Sequence, residues 1–277
     1  MLTQTQLDDI KQLQHVCEHV EDIHLKLNWD MLTERKPGEK NDFFRYAGDT
    51  LIAYIGLYEF GDVVELCGMV HPAYRRKGIF TELFYEAVKD LNRNGNKQVL
   101  LNAPSESETA KAFLRSIPCQ FKITEYQMKW KGGSHEAFED IELRTATPDD
   151  IEFEISLDVQ CFHFDEKGAR DFNERVKQQP HQQSYIIEWN EYSVGKLRVD
   201  HTTGDAWIYS FAVLPEFQGQ GIGRKTLKRI LEAESKKGMG VYLDVEAENS
   251  HALRLYESCG FKAFAAQDYY TYIYEKS

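Results

Sequence analysis

Two tandem copies of one mixed α/β fold are predicted for this 277-residue chain, and three observations carry the prediction. Residues Phe211 to Arg224 read as the end of a strand, a short turn, and a glycine-rich loop that opens a helix. The same unit occurs earlier: Val70, Pro72, Gly78 and Ile79 return as Val213, Pro215, Gly221 and Ile222 at one constant offset. Around each copy, short alternating apolar runs come first and a strand–helix–strand pattern follows, which gives a mixed, mostly antiparallel sheet flanked by helices.

In the first copy, strands are expected at Phe43–Ala47, Leu51–Phe60 and Val63–Val70, with turns at Gly48-Asp49 and Gly61-Asp62. A helix burying Leu83, Phe84, Ala87, Val88 and Leu91 follows, spaced at the helical period. Next come a strand at 98–103, a helix at Ser107–Ile117 and a strand at Phe121–Trp130. Lys131 to His135 is short, polar and glycine-containing, and reads as the linker. The expected domains are therefore 1–135 and 136–277, each a common domain size. The second copy starts as the first does, with Asp149, Asp150 and Ile151 echoing Asp8, Asp9 and Ile10. After a strand at Leu143–Thr145, Pro148 and two acids suit a first helical turn, and helix fills the stretch towards Pro180. Strands at Ser184–Trp189, Tyr192–Val199 and Ala206–Val213 precede a helix with the stripe Leu227, Ile230, Leu231. A strand at Val241–Glu246 and a short helix from Asn249 to Gly260 complete the copy.

Composition narrows the function. A net charge of −12 argues against non-specific nucleic-acid binding. The chain has neither a run apolar enough to span a bilayer nor a basic, apolar leader, so a cytoplasmic protein without membrane partners is expected. Cys17, Cys67, Cys119, Cys161 and Cys259 are scattered without CxxC spacing and read as reduced, small hydrophobes; no metal site is expected.

The glycine-rich loop carries the chemistry. Bare backbone N–H groups at a helix start suit a phosphate or pyrophosphate, and side chains at Gly219, Gly221 or Gly223 would obstruct its approach. No Lys-Ser or Lys-Thr follows the last glycine, so this is not a Walker loop. Val213, Pro215, Gln218, Gly221 and Gly223, followed downstream by Asn249, Ala252, Leu255, Tyr256, Gly260 and Phe261, resemble the signature of the GNAT family, the acetyl-CoA-dependent N-acyltransferases. The resemblance covers most of residues 140–277. It implies acetyl-CoA as co-substrate and an amine as acceptor. The pyrophosphate would lie on the backbone of Gln218, Gly219, Gln220, Gly221, Ile222, Gly223 and Arg224. The pantetheine arm would pair with Phe211, Ala212 and Val213, between a strand ending at Val213 and a strand at Val241–Glu246 that splay apart. Asn249 would touch the cofactor, with a helix cap as the plainer reading. Tyr256 would protonate the leaving thiolate, with a core tyrosine as its plainer reading.

The general base is open. Some family members use a glutamate on the strand before the loop; the aligned residue here is Trp207, leaving Asp205, Asp244 and Glu246 nearby with the strand phase undecided. Tyr270, Tyr272 and Tyr274 read as a packed sheet face, and His163, Asp165 and Glu166 as a solvated loop or an amine-recognising one. The first copy departs from the signature. It has Phe80 for Gly223, Arg76 and Lys77 for Gly219 and Gln220, and Phe113 or Leu114 for Tyr256. It is expected to be degenerate, with the second copy catalytic. A non-catalytic acyl-CoA-binding scaffold and an acyltransferase with another donor remain as alternatives.

Overall fold

The computed structural model describes residues 1–60, 63–93, 98–133, 138 and 140–274. The expected turn at Gly61-Asp62 and the expected boundary after residue 135 lie outside the described residues. The chain forms two compact units, Met1–Glu125 together with the stretch from Ala265 onward, and Tyr126–Phe264.

The first unit opens with helix α1 (Gln4–Glu21), started by a capping box in which Thr3 and Gln6 satisfy each other's backbone N–H groups. A short helix α2 (Trp29–Thr33) leads to strands β1 (Asp42–Ala47), β2 (Thr50–Phe60) and β3 (Val63–Val70). Helix α3 (Ile79–Arg93), strand β4 (Gln98–Pro104), helix α4 (Glu108–Leu114) and strand β5 (Cys119–Trp130) follow. β1, β2 and β3 pair antiparallel, β3 pairs parallel with β4, and the chain's last strand, β11 (Phe261–Tyr272), pairs antiparallel with β4. One sheet face packs on α3 through Leu83, Phe84, Ala87, Val88 and Leu91, all buried as their spacing predicts. The other packs on α1 through Ile10, Leu13 and Cys17.

The second unit repeats the plan with strand β6 (Ile141–Thr145), helices α5 (Ile151–Phe162) and α6 (Glu166–Val176), and strands β7 (Gln182–Trp189), β8 (Tyr192–Asp200) and β9 (Ala206–Val213). Helix α7 (Ile222–Lys236), strand β10 (Val241–Glu246) and helix α8 (Ser250–Ser258) complete it. β6 to β9 pair antiparallel in sequence order, and β9 pairs parallel with β10. Leu227, Ile230 and Leu231 of α7 are buried against Ala206, Ile208, Val241 and Leu243.

The chain passes into the second unit within β5 and returns to the first within β11. The Tyr270, Tyr272 and Tyr274 stripe therefore packs in the core of the first unit, where Tyr272 meets Phe84 edge-on at 5.3 Å. The packed-face reading of that stripe holds, but the core it serves belongs to the opposite repeat.

Two irregularities distinguish the copies. β9 carries a bulge: Ser210 has φ 48°, and the β8–β9 register slips between Lys196↔Ala212 and Arg198↔Tyr209. β3 has no slip against β2 from Val70 to Val63. One extra residue in β9 means that the constant offset between the repeats fails upstream of the bulge. Counted along the ladders, Glu65 (opposite Tyr58 and Leu100) occupies the place of Trp207 (opposite Asp200 and Tyr242).

The second irregularity is an exchange of volume. In the second unit Phe211 projects from the strand toward Gly223, where an added Cβ would lie 3.6 Å from the ring. In the first unit the aligned pair is reversed: Phe80 projects from the helix onto Gly68, where an added Cβ would lie 2.8 Å from the ring. One aromatic ring fills the strand–helix gap in both copies, so Phe80 is balanced by Gly68. Gly223→Phe alone should cost roughly 1–3 kcal/mol by overpacking, and Phe211→Gly alone about 3–5 kcal/mol through the void it leaves. The double variant should recover at least about 2 kcal/mol of that sum in urea denaturation; simple additivity would show that the two sites are independent.

Candidate active site

β9 and β10 pair only from Ala206↔Val241 to Ile208↔Leu243 and then part. Beyond that point the edge of β9 that faced β10 has no ladder partner there, and a cleft edge of this kind accepts an extended chain by added-strand hydrogen bonds. Phe211, Ala212 and Val213 lie on this stretch, with Ala212 and Val213 held on their other edge by Lys196 and Gly195.

At the end of β9 the chain turns through Pro215–Phe217, a single 3-10 turn with proline at its start. The Gln218 side chain reaches back and donates Nε2–H to the Val213 carbonyl at 2.9 Å. Arg75 does the same in the first unit, its Nε donating to the Val70 carbonyl at 3.0 Å. Gln or Arg at this position thus braces the loop against the strand end. The Cys161 and Cys17 thiols approach the same carbonyls, at 3.6 and 3.3 Å.

Gly219 and Gly221 take φ of 75° and 78°, in the left-handed region that favours glycine, and nothing lies within 4 Å of a Cβ added to either. Gln220 donates to the Glu216 carbonyl at 3.3 Å. Lys225 N–H bonds the Gly221 carbonyl at 3.1 Å, so the N–H groups of Ile222, Gly223 and Arg224 precede the first intrahelical partner. An open loop, orphan donors and a helix N-terminus together fit a pyrophosphate. The first unit follows the same backbone path, with Arg76 at φ 62° and Gly78 at φ 81°. The bulkier residues there have not changed the loop.

The Asn249 side chain caps α8, accepting from Ala252 N–H at 3.1 Å. Tyr256 lies on the same helix, edge-on to Phe261 at 6.0 Å between ring centroids. Burial pushes its phenol up to about 12, so the hydroxyl keeps its proton at neutral pH. Leu255, the preceding residue, lies 3.3 Å from a Cβ added at Gly223, so α8 abuts the start of α7. Seven residues after its own cap, α4 has Leu114, and the neighbouring Phe113 packs edge-on to Phe80 at 4.7 Å; neither carries a hydroxyl.

The strand phase is now fixed. Asp205 ties Gly240 N–H at 3.0 Å and belongs to a turn. Asp244 and Glu246 share a β10 face with Tyr242, opposite the core residues Val241, Leu243 and Val245. Asp165 caps α6 through Gly168 N–H at 2.9 Å, and His163 ends α5 in the left-handed region, so both serve the loop itself.

Sequence reasoning missed Glu65. It accepts from Asn102 Nδ2 at 3.0 Å, Asn28 Nδ2 at 3.3 Å and Cys67 Sγ at 3.2 Å, and burial raises its pKa against the opposing influence of Lys26. Lys26 itself pairs with Glu125 at 3.1 Å and donates to the Tyr269 hydroxyl at 2.9 Å. The available signal was a lone carboxylate in the apolar strand Val63–Val70; the bulge in β9 misaligned it with Ile208. A cleft of about 570 Å³ opens in this unit, running from the Arg75–Gly78 loop between the parted ends of β3 and β4 to Asn102 and Leu25. In the second unit β8, the strand paired with β9, carries Lys196, buried and ion-paired with Asp158 at 2.7 Å, its pKa lowered chiefly by burial.

Comparison with known proteins agrees with this geometry. The model of the acetyltransferase (GNAT) family matches the chain twice, at residues 6–116 and 151–261, and the chain belongs to that family. It is 38% identical over 68 residues to the [ribosomal protein bS18]-alanine N-acetyltransferase of Escherichia coli K12, which is 24% of this chain and 46% of that protein. It is 37% identical over 65 residues to the spermine/spermidine N(1)-acetyltransferase of Bacillus subtilis 168, 23% of this chain and 43% of that one. The matches thus span less than half the length of these curated relatives. Among solved structures, a GCN5-related N-acetyltransferase from Sphaerobacter thermophilus aligns with TM-score 0.76 at 18% identity, over 95% of this chain and 91% of that one. A tandem GNAT protein from the clavulanic acid biosynthesis pathway aligns with TM-score 0.73 at 15% identity, over 98% and 95%. At these identities the likeness concerns the fold. Among the described residues no helix is long and apolar enough to cross a membrane, and no group of three His, Cys, Asp or Glu side chains is placed to hold a metal.

The Asn249 cap makes a separable prediction. Asn249→Ala should lower stability by about 1 kcal/mol, whereas Asn249→Asp should hold it within a few tenths of a kcal/mol. Thermal melts of the two variants check this, and equal losses would remove the cap.

Proposed function

We propose that the chain is an N-acetyltransferase that moves an acetyl group from acetyl-CoA to a primary amine, both bound at once, with the second unit catalytic. The observation that carries the reading is the loop Gln218–Arg224, an open anion cradle set at the mouth of two parted strands. The pyrophosphate would rest on the N–H groups of Gly221 to Arg224, and the pantetheine amides would pair with Phe211, Ala212 and Val213. Asn249, while capping α8, would border the cofactor.

The ammonium loses a proton to solvent, the amine nitrogen bonds the acyl carbon and releases its surplus proton to water, and the carbon–sulfur bond breaks. The thiolate takes the Tyr256 proton, and water reprotonates the phenol. A phenol held at about 12 is still protonated when the thiolate forms. Holding both reactants together supplies much of the acceleration.

A second reading places turnover in the first unit. It rests on the cleft there and on Glu65, a carboxylate whose pKa burial has raised, at the ladder place where the second unit has Trp207. An aspartate in either cradle separates the readings, because it tolerates the left-handed backbone better than other side chains and repels an anion. Gly221→Asp should cut acetyl transfer by about a hundredfold or more while Gly78→Asp leaves it nearly unchanged; the reverse result transfers catalysis to the first unit. Tyr256→Phe should slow turnover by roughly a hundredfold, with acetyl-CoA affinity unchanged in calorimetry. Because the phenol sits at about 12, its ionisation should impose no loss of rate on the wild type below about pH 11.

A further inference from the structure

The cleft of the first unit has an entrance, a path and an apolar far end, and acetyl transfer by the second unit uses none of them. The entrance is the loop that leads into α3. Gly78 leaves open space for an added Cβ, as Gly221 does. Where the second unit has Gly219, Arg76 brings an exposed guanidinium that bonds none of the described residues. The path lies between two strands. β3 and β4 pair from Val63↔Gln98 to Leu66↔Leu101 and no further. Their outer edges stay paired beyond that point, β3 with β2 as far as Val70 and β4 with β11 as far as Pro104. The gap between residues 67–70 and 102–104 is thus held open from both sides, and its free inner edges suit an extended, amide-bearing arm.

The cleft passes through the sheet. Leu66, Phe80 and Leu101 line it on the side of α3. Ile23 and Leu25, just after α1, line it on the other side together with Met69. The polar groups there are already engaged. Glu21 pairs with Arg75 at 3.0 Å and accepts from Thr109 Oγ1 at 2.8 Å. Asn102 Nδ2 donates to Glu65 at 3.0 Å, and the Cys17 thiol bonds the Val70 carbonyl at 3.3 Å. What this end offers a ligand is apolar wall, which favours a hydrocarbon chain over an ammonium or a hydroxyl that would be left without a partner.

We propose that the first unit binds a coenzyme A thioester whose acyl chain is longer than acetyl, its pyrophosphate at Arg76 and Gly78 and its chain against Leu25 and Met69. The site belongs to the unit that acetyl transfer does not use, so it stands apart from that reading. The test uses the full chain carrying Gly221→Asp, which blocks the second cradle, in calorimetric titrations with acetyl-CoA and hexanoyl-CoA. Hexanoyl-CoA should bind once per chain and at least about tenfold more tightly than acetyl-CoA, since each buried methylene contributes about fourfold and burial of two is enough. Adding Gly78→Asp should remove that binding. Leu25→Trp, which fills the far end, should abolish the preference for hexanoyl-CoA while leaving acetyl-CoA affinity as it was, and Leu25→Val should keep most of it. Thermal melts confirm that each variant folds, and the comparison of the two thioesters decides the matter even where Leu25→Trp does not. Equal affinities for the two, hexanoyl-CoA binding that survives both aspartates, or no binding at all in Gly221→Asp would each overturn the site and leave acetyl transfer by the second unit standing. Selective hexanoyl-CoA binding in a chain that acetylates no amine would keep the site and overturn the transfer reading.

Discussion

The second unit depends on one backbone constraint: β9 cannot pair with β10 along its whole length. A parallel ladder begins at Ala206↔Val241 and stops after Ile208↔Leu243, and the bulge at Ser210 begins two residues beyond the last paired position of β9. A bulge adds a residue, increases local twist and re-aims the strand that carries it. Everything that reads as a donor site lies downstream of it: the unpaired edge at Phe211–Val213, the Gln218 brace on the Val213 carbonyl, and the glycine loop that presents the start of α7.

The two repeats show how one scaffold tolerates different solutions. The loops share a backbone path although Arg76 stands where Gly219 does, and Phe80 with Gly68 fills the gap that Phe211 and Gly223 fill from the other side. The polar interiors differ more. The first unit buries Glu65 among two asparagines and a thiol, with the charge of Lys26 acting on it, whereas the second buries Lys196 against Asp158 as an ion pair. A buried charge that is directly paired is a structural feature in most proteins, and one satisfied mainly by neutral donors is poised to change protonation.

Much of this was legible in the residues. Gly219, Gly221 and Pro215 announced the loop because only a few residue types fit its backbone, and the helical stripe at Leu227, Ile230 and Leu231 announced the helix behind it. Strand ends were predicted to within about two residues. Three things were not legible. The bulge left no compositional mark, since Ser210 in a left-handed conformation looks like any strand serine; this hid the correspondence of Glu65 with Trp207. The exchange of β11 between units was invisible because a strand's periodicity records that one face is buried, not against which core. The phase of β10, which places Asp244 and Glu246 beside Tyr242, required the packing of Val241, Leu243 and Val245 to settle it.

Under the proposed function, the parted strands and the cradle of the second unit hold the acyl donor. Amide hydrogen exchange of the whole chain with and without acetyl-CoA tests it directly, since binding should convert free N–H groups into bonded ones. Protection concentrated at Phe211–Val213 and Ile222–Arg224 is the expected result. Protection confined to the Gly78–Thr81 loop and the ends of β3 and β4, or none in either unit, would contradict it.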